Sequence, residues 1–506
     1  MWVGNAPMPF SSPFPGVDIP DQSLTEFVLE GGRDRRDQPA LIDGPTGRTL
    51  THGDVADGIA AAAGALTGRG IGRGDVVAIL SPNAPEYAIA FHAIAAVGAA
   101  ATTINPVYTR AEIDHQLEHS GAKAVVSPDG AGSKLPDVSY AHLLAGDPGA
   151  APDAQPDPGD VVALPYSSGT TGLPKGVMLS HRNLVANVLQ ATAVQSVEPE
   201  DTLAGVLPLF HIYGMSVVMN GVLRGGAAVV LLPRFDLEQF LGLVEEHRIT
   251  KAHLVPPIIL ALAKSPAVEG RDLSSLQFVN SGAAPLSAEL AAAAAERIGC
   301  PVVQGYGMTE TGPVTHTTPP DANRPGSIGP AIPNTEFRFV STETGAEADA
   351  GELCVRGPQV MLGYLNDEQS TRDTIDPDGW LHTGDVGRAD EDGYVYLVDR
   401  VKELIKYKGF QVAPAELEAI LVEHPAVADA AVIGVADEEA GEIPKAFVVL
   451  SDANADPEEI KAFVAEKVAH YKKLRRFEVV DEIPKSASGK ILRRELIERE
   501  RAQQGA

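Results

Sequence analysis

Cysteine is nearly absent from this chain. Cys300 and Cys354 are the only two in 506 residues, too few for a disulfide framework, and neither sits in a CxxC or Cys/His cluster along the chain. A reducing cytosol fits that usage. Positive charge is also scarce, 40 Lys and Arg against 68 Asp and Glu, which leaves a net charge of −28. Such a field repels nucleic acid and anionic membranes, so any polyanionic ligand must meet a locally positive site. Long apolar runs are missing too. The most membrane-like stretch, Tyr87 to Ile104, holds His92 and Gly98 and is rich in alanine, and it reads as a buried helix running into a strand. The opening "MWVGNAPMPFSSPFPG" has no charged n-region or apolar h-region, and "AQQGA" is no lipidation or peroxisomal address. These absences predict a cytoplasmic protein without a membrane span.

What is present is an ordinary globular composition, 44% apolar and 21% charged, in a chain long enough for two to four domains. From about residue 40 to 330, β-branched runs ("DVVAIL", "KAVVS", "AAVVLLP", "LQFVNSG") alternate with helical patterns such as "RNLVANVLQATAV" and "LEQFLGLVEEH". That alternation predicts an α/β fold, with parallel-rich sheets, flanking helices and ligand sites at the carboxyl ends of strands. Residues 335–400 turn to short strands and predict a β-rich subdomain. From Val401 to about Leu496 a small α+β unit is readable, from helix "PAELEAILVEHP" to a last charged helix. The expected division is therefore a large domain over 1–399 and a small, mobile one over 400–506, with the boundary near Asp399–Lys402.

"YSSGTTGLPKGVMLSHRN", Tyr166 to Asn183, sets small and hydroxylated residues before a lone lysine, Lys175, and then opens what reads as a helix. A Walker A motif is excluded, because five residues beyond Gly169 stands Pro174, and Gly176 follows Lys175. Backbone N–H groups freed by glycine, with the hydroxyls of Ser167, Ser168, Thr170 and Thr171, can still surround a triphosphate, and Lys175 supplies the cation.

These residues resemble the phosphate-binding signature of the adenylate-forming enzymes: acyl-CoA synthetases, adenylation domains and luciferases. Further matches follow in that family's order: "QGYGMTET", "GWLHTGDVG", "VDRVKELIKYKGFQVAPAELE" and "PKSASGK". The resemblance spans nearly the whole chain. It implies a two-step ligase using ATP, Mg²⁺ and CoA: a carboxylic acid attacks the α-phosphate to give an acyl-adenylate and pyrophosphate, and a thiol then displaces AMP.

Residue by residue, the resemblance makes Lys490 the adenylation lysine, carried by a flexible "SASG" into the site, where its ammonium meets the developing charge. Lys175 and His211 join it as expected catalytic groups. Nucleotide contacts are implied for Ser167, Ser168, Gly169, Thr170, Thr171, Gln304, Gly305, Tyr306 and Thr309, with Asp385 and Arg400 on the ribose. Glu310 is the implied magnesium ligand, an oxygen donor suited to a hard cation. His211, Tyr213, Ser216, Ala283, Ala284, Gly305, Gly307, Pro313 and Val314 line the acid slot, with Lys402 and Lys406 nearby. Lys408, Gly409 and Gln411 belong to a second-step face that meets CoA. Because Lys490 and that face are needed in turn, the small domain must rotate near Asp399–Lys402. Lys472, Lys473, Arg475 and Arg476 are candidates to attract the CoA phosphates.

Within the family the chain looks most like the 4-coumarate:CoA ligase type, on "PLFHIYG", "GELCVRG" and "GMTETGPV". The expected acid is 4-coumarate or another cinnamate. A medium- or long-chain fatty acid, or a separate carrier protein loaded in place of CoA, stays open, since one methylene shifts discrimination by only about 1–3 kcal/mol. An idle adenylate-binding sensor predicts damage at Lys175, Glu310 or Lys490, and all three are intact.

Overall fold

Strands and helices alternate through the first three hundred residues as the apolar runs require, and they build two eight-stranded sheets. The computed structural model describes residues 9–130, 134–152, 156–167, 174–408, 410–437, 440–452, 455–486 and 489–504. In the first sheet Val76–Leu80 lies parallel between Ala100–Ile104 and Ala124–Ser127, with Asp137–Ser139 and Val161–Ala163 extending the two sides. In the second, Pro39–Asp43, Ala228–Leu231, Thr202–Gly205, Lys251–Leu254, Phe278–Ser281 and Val302–Gly307 run parallel in that spatial order. Among the described residues, antiparallel strands appear only at the rims: Lys175–Ser180 with Tyr166–Ser167 and Gly363–Tyr364 on the first sheet, Thr49–Thr51 and Val314–Thr317 on the second. The sheets are therefore mixed, with parallel centres.

Both sheets contribute to one apolar core, which takes in Val77, Ile79, Val229, Leu254 and Val279. The stretch from Tyr87 to Ile104 is the helix Pro85–Ala96 followed by the strand Ala100–Ile104, and Tyr87 and Phe91 are fully buried. Burial on every side explains why it reads as near-continuous hydrophobe. Among the described residues, no helix is long and apolar enough to cross a membrane.

The segment after Lys175 corrects one expectation. It forms a strand, Lys175–Ser180, before any helix, because Val177 and Leu179 alternate inward with period two and Met178 does not. The helix begins only at His181, where Ser180 supplies the cap. The Asn183 N–H donates to Ser180 Oγ at 3.1 Å, and Asn183 Oδ1 accepts the Ser180 N–H at 2.9 Å.

The β-rich region is an antiparallel sheet of Phe10–Ser11, Glu336–Val340, Ala350–Arg356, Leu381–Ala389 and Val395–Arg400, with Glu347–Ala348 at its side. Phe337, Phe339, Leu353 and Val355 form its core, and Phe10 stacks on Phe337 at 4.8 Å. Its last strand ends at Arg400, and the first strand of the small unit begins at Ile405. There Ile405–Tyr407, Phe410–Val412, Val427–Asp437 and Gly441–Leu450 pair antiparallel, and Arg476–Val479 joins in parallel. Separate apolar clusters cover the two faces of that sheet.

Because the small unit has its own core, Phe447→Ala is expected to cost it about 3–5 kcal/mol. Amide hydrogen exchange should accelerate through the strands Val427–Asp437 and Gly441–Leu450 and leave Val76–Leu80 protected; equal loss in both places would contradict two separately stabilised units.

Candidate active site

The carboxyl ends of both parallel sheets open onto one cavity of about 920 Å³. Strand ends supply Thr103, Asn105, Ser167, Gly305 and Gly307, and the loop after Phe278–Ser281 supplies Gly282 and Ala283. Ala283 sits at φ +71°, in the left-handed region that a Cβ disfavours by about 1–2 kcal/mol. Gly307 has no alternative residue, because a Cβ there would stand 1.9 Å from the Pro313 carbonyl oxygen.

Most expected residues converge on this cavity. Ser167, Lys175, His211, Tyr213, Ser216, Ala283, Gly305, Tyr306 and Gly307 line it, as do Thr309, Glu310, Pro313, Val314, Arg400, Lys402 and Lys490. Gln304 and Asp385 are buried immediately behind it, and Ala284 is one residue removed from the wall. Lys406, Lys408 and Gln411 stand elsewhere, exposed on the strand pair Ile405–Tyr407 and Phe410–Val412 and the turn between them. Ser168, Gly169, Thr170, Thr171 and Gly409 lie outside the described residues. Of the basic residues proposed to draw in CoA phosphates, Lys472 is paired with Glu416 at 2.7 Å, Arg476 with Glu500 at 3.3 Å, and Arg475 bonds the Tyr407 hydroxyl at 3.2 Å.

At one end of the cavity Arg400 Nε donates to Asp385 Oδ1 at 3.0 Å, while the Tyr306 hydroxyl donates to Asp385 Oδ2 at 2.5 Å. Lys490 reaches this group from the small unit. Burial lowers its pKa, and the Arg400 charge lowers it further, against Glu403 and Asp385, which raise it. Two bonds close its turn: Ser486 N–H to the Lys490 carbonyl at 2.8 Å, and Lys490 N–H to Ser486 Oγ at 3.2 Å.

A second group surrounds Glu310, whose Oε1 accepts the Tyr364 hydroxyl at 2.9 Å. Lys175 lies over the Tyr364 ring at 4.9 Å, donates to Ser370 Oγ, and sits 3.5 Å from Asp367 Oδ2. Lys175 is thus parked by weak, partly exposed partners that a phosphate can replace.

The third group is a polar wall of which the sequence had announced only Tyr213 and Ser216. Asn280 Nδ2 donates to the Tyr213 hydroxyl at 2.7 Å, and that hydroxyl lies 3.2 Å from His253 Nδ1. Gln195 Nε2 donates to Asn280 Oδ1 at 3.0 Å and to Thr317 Oγ1 at 2.9 Å. Gly305 closes the gap, since a Cβ there would meet Thr317 and Asn280 at 3.2 and 3.3 Å. Tyr213 leads into a π-helix, Gly214–Asn220, that sets Ser216 on the same wall. Only the alternation of strand residues could have flagged Asn280 and His253, which are register partners on neighbouring strands. Burial lowers the His211 and His253 pKa values to about 4, with Lys490 and Lys251 adding to the respective shifts, so both rings are neutral near pH 7.

Neither cysteine belongs to a Cys/His cluster along the chain, yet the fold gives one of them a histidine neighbour. Cys354 and His382 are register partners across the antiparallel sheet, with Sγ and Nδ1 3.4 Å apart. Twenty-eight residues of chain separate them, which is why no local spacing revealed the pair.

Comparison with known proteins agrees with this geometry. Residues 30–365 match the family described as AMP-binding enzyme, and residues 416–490 match the AMP-binding enzyme C-terminal domain. The chain belongs to the AMP-binding enzyme family. It is 46% identical over 519 residues to 4-coumarate–CoA ligase 5 of Oryza sativa subsp. japonica, covering 96% of both chains. Against 4-coumarate–CoA ligase of Pinus taeda the identity is 44%, over 96% of this chain and 97% of the other. Among solved structures, an anthranilate CoA ligase in complex with anthranoyl-AMP superposes with a TM-score of 0.90 at 27% identity, covering 97% of this chain and 99% of that one. The o-succinylbenzoate CoA synthetase of Bacillus subtilis, solved with ATP and a magnesium ion, gives 0.83 at 29% identity over 94% and 100%.

The buried histidines predict an acid limb of stability. Burial pushes His92, His181, His211 and His253 to about 4 and His316 to about 3. Their unfolded value is about 6.5. Their neutral forms therefore stabilise the fold above that pH, and this contribution is lost as pH falls through the folded values. Glu418, raised to about 7 by burial, and Asp399, also raised, act in the opposite sense. His52, also lowered by burial, acts with those five histidines. His382, raised to about 10 by its hydrogen bonds to Cys354 and Glu352, acts with Glu418 and Asp399. With six groups against three, the thermal midpoint should fall as pH drops from 7 to 4.5, and His316→Gln should flatten the slope. A midpoint that holds or rises over that range would contradict the assignment.

Proposed function

We propose that this protein is an AMP-forming acid–CoA ligase that activates a cinnamate-type acid, 4-coumarate or a close relative. The observation that carries the reading is the meeting in one cavity of Lys490 from the small unit with His211, Arg400 and Glu310 from the large one. A carboxylate oxygen attacks the α-phosphorus of ATP, and the bond to pyrophosphate breaks. The CoA thiol sulfur then attacks the acyl carbon, giving up its proton, and AMP leaves with the bonding pair.

The first step must overcome repulsion between a carboxylate and a triphosphate. Lys490 answers that by presenting an ammonium to both the acid and the α-phosphate, where charge accumulates in the transition state. Lys175 leaves Ser370 and Asp367 for the distal phosphates. Asp385 accepts from the ribose hydroxyls, oriented by Tyr306 and Arg400. Glu310 fits a divalent cation: it is a buried hard oxygen donor with one oxygen fixed by Tyr364. Mg²⁺ bound by Glu310 would neutralise phosphate charge. His211, neutral and beside Lys490, orients the acid without adding a second positive charge.

For the second step the small unit rotates about Asp399–Lys402. Lys406, Lys408 and Gln411 are outside the cavity while Lys490 is inside, so one rigid arrangement does not serve both reactions. The Gln195–Asn280–Tyr213–His253 wall supports a flat acid with a polar distal group. A saturated tail laid on that wall would cover polar atoms and gain little from burial. The names of the curated relatives favour the same acid class.

The test is AMP release with ATP, Mg²⁺ and CoA across 4-coumarate, cinnamate, benzoate, octanoate and palmitate, with the thioester identified by mass. Cinnamates should lead, and efficient turnover of palmitate with none of 4-coumarate would overturn the acid assignment. Lys490→Ala should slow adenylate formation by roughly 100- to 1000-fold. It should leave thioester formation from supplied acyl-adenylate within a few-fold of the native rate; equal loss in both half-reactions would refute its first-step role.

A further inference from the structure

Three zinc-type donors converge on the wall of the cavity, away from Glu310. The Cys354 thiol, a His382 ring nitrogen and a Glu352 carboxylate oxygen all lie within 4.8 Å of one another. Nδ1 is 3.4 Å from Sγ and 3.0 Å from Oε2. The antiparallel sheet makes this cluster, because Cys354 and His382 are paired across it and Glu352, two residues before Cys354, lies on the same face of its strand. The geometry points to a Zn²⁺ site formed by these three side chains, with water in the fourth position.

The spacing fits. With Zn–S near 2.3 Å and Zn–N or Zn–O near 2.1 Å at tetrahedral angles, ligand atoms stand about 3.3–3.6 Å apart. The 3.4 and 3.0 Å separations at Nδ1 need to open by only a few tenths of an ångström, and the thiol and carboxylate, within 4.8 Å, draw together on the ion. The donor set of thiolate, imidazole and carboxylate selects zinc over the hard cations that carboxylates alone would favour.

The surroundings hold the donors in the right attitude. Glu352 Oε1 accepts the Gly384 N–H at 2.9 Å, which leaves Oε2 aimed at His382. The far ring nitrogen of His382, Nε2, lies 3.8 Å from Asp376 Oδ2, where a carboxylate can fix the tautomer that a metal-bound imidazole needs. Cys354 is fully buried against Val340 and Trp380, where an unpaired thiolate would be costly and a metal-bound one is not. Glu352 and His382 line the cavity, so the ion has an entry path and an open face for water. Binding releases the thiol proton and any Nδ1 proton to solvent. The ion would cross-link the strands Ala350–Arg356 and Leu381–Ala389 just ahead of Gly384 and Asp385.

Cobalt titration of the full chain, freed of metal by a chelator and held in excess Mg²⁺, tests this. One equivalent of Co²⁺ should produce a thiolate-to-cobalt charge-transfer band and tetrahedral ligand-field bands, and Zn²⁺ should abolish both. Cys300→Ser should leave the charge-transfer band, and Cys354→Ser should remove it. Since Cys354 is buried and its variant may not fold, His382→Gln provides an independent reading, with cobalt affinity expected to fall at least about 10-fold. No thiolate band in the native chain, a band that survives Cys354→Ser, or unchanged affinity in His382→Gln would each overturn the site.

Discussion

The ion pair between Asp385 and Arg400 holds the molecule's parts in register. Asp385 lies on one strand of the antiparallel sheet and Arg400 ends the next, so the pair is also a rung between register partners. Tyr306, from the last parallel strand of the second large sheet, donates to the same carboxylate. One residue further, Val401 N–H donates to the Gly384 carbonyl at 2.8 Å, and the chain then departs into the small unit. Two sheets thus meet at a single carboxylate, just where the chain leaves for the small unit. A mostly buried pair of this kind adds little net stability, yet removing one partner leaves an uncompensated charge at a cost of about 3–5 kcal/mol. Its value lies in geometry: it fixes where the large domain ends and therefore the point from which Lys490 is delivered.

Charge elsewhere obeys the same logic. A chain of net charge −28 that accepts three anionic substrates must keep its cations from being neutralised permanently by its own acids. Lys175 rests on a hydroxyl, a ring face and a carboxylate that is itself partly exposed, all of which phosphate oxygens can outbid. By contrast Lys251, bonded to Asp201 at 2.5 Å with both side chains about 5% exposed, is structural and faces no substrate. Arg493 is bound on both sides, to Glu403 at 2.9 Å and Glu418 at 2.7 Å, and ties the start of the small unit to its first and last helices. Lys175 in the cavity is thus loosely held, whereas Arg400, Lys251 and Arg493 are locked.

Local chemistry was legible in the sequence wherever a period or a cap wrote it down. The parallel strands around Val76–Leu80, the buried helix Pro85–Ala96, the β-rich region and the small unit from Pro414 onward follow from apolar spacing, while the short strand pair Ile405–Tyr407 and Phe410–Val412 did not show itself. The strand Lys175–Ser180 was missed because a glycine-rich stretch followed by Ser-His-Arg-Asn carries a helix-start signal, while the two inward residues Val177 and Leu179 are too few to declare a strand. Gln195, Asn280, Thr317 and His253 were invisible for a different reason. They come from three strands and the loop after the helix His181–Thr192, meet only in the folded chain, and no one of them differs from an ordinary polar residue in its own neighbourhood. The same holds for Glu352, Cys354 and His382. Motifs record contacts made by a continuous segment with a common ligand; walls built by distant strands leave no such record.

That contrast also explains how one scaffold serves different acids. Neighbours named for anthranilate and for o-succinylbenzoate superpose on this chain with TM-scores of 0.90 and 0.83 at under 30% identity, so the backbone frame is nearly independent of the acid. The nucleotide end has no such freedom, because ribose and phosphates are the same in every case. Selectivity must therefore reside in side chains that project into the slot from a fixed frame. Apolar trimming there is worth about 1–3 kcal/mol per methylene, whereas a buried hydrogen-bonding group left without a partner rejects a ligand far more strongly. Tyr213, Asn280 and Gln195 are of the second kind. Their mutual bonds keep them in place when the slot is empty, and their remaining polarity sets the requirement that an incoming acid must meet.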